Sequence, residues 1–84
     1  MASRKRRQEA ILARIRAGNG ATSWSDVQSL LLSVGAERHE REGSRVVFVL
    51  GDHVLHAHQV HARRDCGVAL ISRVRAFLLK AGVL

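Results

Sequence analysis

The residues best suited to chemistry crowd into one stretch of this 84-residue chain. His53, His56, His58 and His61 follow one another, Arg45 comes shortly before them, and Arg63 and Arg64 come just after. Histidine titrates near neutrality, so it can take or give a proton during a reaction. Arginine presents a planar fork that binds phosphate oxygens in pairs and holds developing negative charge. Such a set fits acid–base chemistry at a phosphate, with a base to take a proton, an acid to protonate a leaving oxygen, and cations to hold the developing charge. His58 is the first candidate for the base and His61 the next, with Arg45 as the candidate phosphate clamp. Two plainer readings stand beside this one. Histidines on an exposed strand serve as solvated or partner-contacting residues, and an alternating His56 and His58 pair can recruit adventitious metal. No cysteine or carboxylate cluster completes a metal site there, so no metal and no cofactor are expected. Cys66 reads as a small residue at the start of the last helix, since no triad surrounds it.

The charge balance points the same way. Fourteen Lys and Arg face seven Asp and Glu, for a net charge of +7. A small domain this basic suits a polyanion, nucleic acid first, with an acidic protein partner as the alternative. Arg4, Lys5, Arg6 and Arg7 form a run that reads as a flexible or fraying arm able to add phosphate affinity. Arg63 and Arg64 precede a helix whose free N–H groups near Cys66 and Gly67 favour an anion. Arg73 and Arg75, on the less apolar sides of that helix, widen the footprint. The RNA-binding set is therefore Arg45, Arg63, Arg64, Arg73 and Arg75; the alternative for each is simple solvation of its element.

Length bounds the architecture at one small domain with one modest core. The apolar fraction of 46% suits a globular chain. No apolar run reaches the ~20 residues a membrane span needs. A single cysteine and the lack of an apolar signal region point to a reducing cytoplasm.

The elements that must position the histidines can be read in order. Ala10, Ile11, Leu12 and Ile15 have helical spacing from about Arg6 to Ala17, and Gly18-Asn19-Gly20 breaks that helix. Thr22 or Ser23 caps a second helix, with Asp26 near its positive end. Trp24, Val27, Leu30, Leu31 and Val34 share its apolar face, and Gly35 ends it. Trp24 reads as a core anchor. Residues 36–40 form a short, charged edge strand, and Gly43-Ser44 a turn. Residues 45–50 form a confident β-branched strand, with Val46, Phe48 and Leu50 facing one way and Val47 and Val49 the other. Gly51-Asp52 is a tight hairpin turn. On the next strand Leu55 and Ala57 share one face; Val54, His56, His58 and Val60 share the opposite, open one. Asp65 is the expected N-cap of a last helix built on Val68, Ile71, Val74, Phe77, Leu78 and Ala81, and Gly82 stops it. Helices on one face of a small antiparallel sheet make an α+β two-layer domain. Residues 1–20 read as a basic arm and added helix, and 21–84 as the main domain. Exposed Val47, Val49 and Val54 also allow a homodimer interface.

Several of these features together resemble the HicA family, the toxin half of a bacterial toxin–antitoxin pair. The likeness covers about residues 22–83. It is carried by Ser23-Trp24-Ser25-Asp26, Leu30-Leu31 before Gly35-Ala36, Glu42-Gly43-Ser44-Arg45, His58 and His61, and Arg73-Val74-Arg75-Ala76-Phe77-Leu78 through Ala81-Gly82. The resemblance implies an α-β-β-β-α fold similar to double-stranded-RNA-binding domains, here with an extra N-terminal helix. It also implies metal-independent endoribonuclease activity on mRNA, and a HicB-like antitoxin as the neutralising partner, in a toxin–antitoxin hetero-oligomer. Many family members place a catalytic histidine just after the Gly-Ser turn, where this chain has Arg45 and Val46. The family's His-x-Pro-His-Pro run is represented by His58-Gln59-Val60-His61-Ala62, without either proline. If the family's fold carries no catalytic function here, the same surface serves as an RNA-binding or protein-interaction module.

Overall fold

A computed structural model describes residues 2–84, with side chains from Lys5 onward. The order is α1 (Ala2–Arg16), α2 (Trp24–Ser33), β1 (Glu37–Glu40), β2 (Arg45–Leu50), β3 (His53–His58) and α3 (Val68–Lys80). The strands form one antiparallel sheet with β2 in the centre and β1 and β3 at the edges. The expected α+β class is therefore observed.

The basic run at the N-terminus does not form a separate arm, because α1 begins at Ala2 and carries Lys5, Arg6 and Arg7 along its first turns. The side chain of Arg4 lies outside the described residues. Ile11 and Ile15, four residues apart on α1, are buried in the same core as Trp24, Phe48 and Leu78. Ile11 and Ile15 of α1 thus share the core of residues 21–84. Arg7 and Arg14 reach Asp26 at 3.2 and 3.7 Å, and Gln8 donates to the Ser29 hydroxyl at 3.0 Å.

Ser23, not Thr22, caps α2: its hydroxyl accepts from the Asp26 N–H at 3.2 Å. Thr22 is fully buried and donates its hydroxyl to the Asn19 carbonyl at 2.8 Å. Trp24, Val27, Leu30 and Leu31 face inward as their spacing requires, and Trp24 meets Phe48 edge-on with centroids 6.1 Å apart. The Trp24 indole N–H is buried and finds no partner among the described residues.

Register follows from the turns. Gly51 has φ 60 and Asp52 does not take positive φ, the arrangement of a two-residue hairpin with glycine first. Leu50 then pairs with His53, Phe48 with Leu55, and Val46 with Ala57, which puts these core side chains on one face. The opposite face carries Glu37, His39, Val47, Val49, Val54, His56 and His58 by the period-2 rule. Val60 departs from expectation: the strand ends at His58, and Val60 turns half-buried against the core.

Two further expectations about α3 are corrected. Asp65 is not its N-cap; it bridges to Ser23, and the capping position falls to Gly67 at φ 85, without a side-chain cap. Val68 does not join the apolar face and is 69% exposed, while Ile71, Val74, Phe77 and Leu78 are buried. No described helix is long and apolar enough to cross a membrane.

Candidate phosphate-binding face

The helices share one core with Val46, Phe48, Leu55 and Ala57 of one sheet face, and the other face carries the remaining strand side chains. On that open face the cross-strand register makes short rows. His58 stands opposite Arg45, His56 opposite Val47, and His39 on the far side of Val47. Directly opposed residues in an antiparallel pair lie about 4.5–5.5 Å apart at Cβ, so Arg45 and His58 share one contact patch. A concavity of about 560 Å³ opens at this end of the sheet, lined by Arg41, Arg45, His56 and His58, by Val46 and Ala57 of the core face, and by Arg73 of α3. Glu42 is the acid at its rim. Val47 is only 6% exposed although it sits on this face between its cross-strand neighbours His39 and His56. It therefore offers little to a dimer contact.

The hydrogen-bond partners separate cations already engaged from cations still available. Arg38 points to the helix side, where it donates to Gln28 at 2.8 Å, to Gln59 at 2.7 Å and to Glu40 at 3.1 Å. Arg75 donates to the Arg16 carbonyl at 3.0 Å and so ties α3 to the end of α1, away from the concavity. Arg73 donates to the His56 carbonyl. Arg45 reaches only the Glu42 carbonyl, at 3.3 Å. Among the described residues Arg41, Arg45, Arg63 and Arg64 make no ion pair with a carboxylate. Exposed guanidinium groups without a carboxylate keep their full capacity for phosphate.

The candidates from the sequence are thus only partly brought together. Arg45, His58 and Arg73 meet at the concavity. His61, Arg63 and Arg64 lie beyond β3 in an exposed loop, where His61 Nδ1 accepts from the Arg63 N–H at 3.4 Å. The second histidine at the concavity is His56. His39 and Arg41 were not among the candidates, yet His39 shares the face and Arg41 lines the hollow. The signal existed in the sequence: continuing the alternation of β1 through the hairpin register puts both on the side of Val47.

The two amides expected to attract an anion before α3, those of Cys66 and Gly67, are already engaged. The Cys66 N–H donates to the Thr22 carbonyl and the Gly67 N–H to the Gly20 carbonyl, both at 2.9 Å. A Cβ on Gly20 would lie 2.6 Å from the Val68 nitrogen, so the backbone of residue 20 itself sits against the helix end. Backbone carbonyls there take the place an anion would occupy. Burial, reinforced by Asp65, pushes the Cys66 thiol up from 9.0 to about 11. It stays protonated at neutral pH, which removes it as a nucleophile. No group of three or more His, Cys, Asp or Glu side chains among the described residues is placed to hold a metal ion.

Comparison with protein-family models, with curated proteins and with solved structures gave no match.

Proposed function

We propose that this chain is a HicA-like toxin. It binds mRNA on the open sheet face and cleaves it without metal, and a HicB-like antitoxin neutralises it in the cytoplasm. The single observation that supports this most is the pairing of Arg45 with His58 beside a concavity that Arg73 of α3 also lines. In this reading His58 takes the proton from a ribose 2′-hydroxyl. The resulting oxyanion attacks the adjacent phosphorus, and Arg45 holds the charge of the phosphorane. A protonated histidine then gives its proton to the departing 5′-oxygen, leaving a cyclic phosphate on one fragment and a hydroxyl on the other. In this reading His56, which also lines the concavity, takes that second role, and His61 in the loop beyond β3 is the alternative. The element order α2-β1-β2-β3-α3 agrees with a double-stranded-RNA-binding-like core, and α1 is the addition to it. RNA-binding domains of that type rely on shape, phosphates and 2′-hydroxyls, which suits a surface rich in arginine and poor in aromatic residues.

Expression of the chain in a bacterial host tests the reading. Growth arrest is expected, relieved by Arg45→Ala or His58→Ala and by co-expression of a HicB-like protein. Undisturbed growth, at protein levels confirmed by blotting, would contradict it.

A further inference from the structure

The two edges of the sheet are not alike. At the outer edge of β1 every residue of the four-residue strand is charged or histidine, a pattern that discourages pairing. β3 is longer, with Val54 half exposed at 50%. The Gln59 N–H donates to the Ser44 carbonyl, so the alternation of an antiparallel ladder gives residues 55 and 57 the inward bonds. Val54, His56 and His58 therefore turn their N–H and C=O groups outward, at strand spacing. One of these groups has a partner: the His56 carbonyl, which accepts from Arg73. Beside this edge lies a groove of about 390 Å³, walled by α3 through Arg73, Ala76, Phe77 and Lys80. These positions, at i, i+3, i+4 and i+7, form one continuous stripe of the helix. Arg73 lines both this groove and the concavity at the far end of β3, so the trough follows the strand. Six residues of strand measure about 20 Å, enough for a peptide of similar length.

We propose that the free edge of β3 and the facing stripe of α3 form a docking groove for an extended acidic segment of a protein partner, which adds to the sheet as a fourth strand. Charge complementarity selects the occupant. Arg73 and Lys80 line the groove against a single acid, Asp52, at its turn end. The peptide's N–H replaces Arg73 at the His56 carbonyl, and the released guanidinium meets a peptide carboxylate. Alternating outward amides and carbonyls match another polypeptide backbone, whereas a nucleic-acid strand has no amide donors at that spacing. The proposal uses the sheet edge and does not rest on the RNA reading of the sheet face.

The test uses the full chain, ¹⁵N-labelled, with a capped peptide of alternating glutamate and valine as the probe. Two versions of the peptide carry N-methyl groups on one or the other alternate set of amides. The unmodified peptide is expected to slow amide exchange at Val54, His56 and His58 by about tenfold or more. One N-methylated version should bind like the unmodified peptide and the other should lose binding by about tenfold or more. Equal binding of both versions, or no protection at those amides, would overturn strand addition. Protection of the same amides by a short oligouridylate in place of the peptide would also overturn it, by assigning the edge to nucleic acid.

Discussion

Arg45 has no carboxylate partner among the described residues, and its guanidinium meets only the Glu42 carbonyl, so it remains free to meet a phosphate at the mouth of the concavity. Arg45→Ala is expected to weaken RNA binding and to reduce the slope of log K against log salt by about 0.7, the share of one single-strand phosphate contact. Fluorescence anisotropy at several salt concentrations reads both effects. Cys66 gives a second residue-scale expectation. Its pKa is raised in the folded chain, so between 9.0 and about 11 the folded chain keeps a proton that the unfolded chain loses. The stability linked to this group is complete below pH 9 and is lost as pH climbs through 11. Denaturant midpoints should therefore fall over that window in the parent and stay flatter in Cys66→Ser. A thiol reagent at pH 8 should react with the native chain at least roughly tenfold more slowly than with the denatured one.

At the scale of elements, the turn chemistry and periodicities were legible because each rests on local rules. Gly35, Gly51 and Gly82 take positive φ where the chain must end a helix or reverse. The alternation from Arg45 to His58 fixed which histidines face outward. What escaped were contacts between segments distant in sequence. Asp65 looks like a helix cap until Ser23 pairs with it, and the amides of Cys66 and Gly67 look free until Thr22 and Gly20 accept from them. No local pattern announces that a glycine-rich break near residue 20 will close the start of a helix nearly fifty residues later. Gly20→Ala is thus expected to cost about 1–3 kcal/mol, as overpacking against backbone does, in denaturant unfolding. Ser23→Ala should cost about 1 kcal/mol through the lost cap of α2. A Gly20→Ala chain as stable as the parent would show that the contact between residue 20 and α3 is loose.

For the whole molecule, the layering decides where function can reside. One face of the sheet contributes Val46, Phe48, Leu55 and Ala57 to a single core with the buried side chains of α1, α2 and α3. Removing residues 1–17 should strip Ile11 and Ile15 from that core, abolish near-ultraviolet dichroism and expose dye-binding apolar surface. The opposite face keeps Arg45, His56 and His58 exposed together, in a chain of net charge +7. The grouping of His56 with His58, rather than His61, at the concavity became visible only with the strand ends fixed. The most direct measurement is incubation of RNA with the purified chain in EDTA, beside His58→Ala. The parent is expected to cut RNA in the absence of metal, with a loss on the order of 10²-fold or more in the variant. Intact RNA with the parent, or an undiminished rate in His58→Ala, would contradict it.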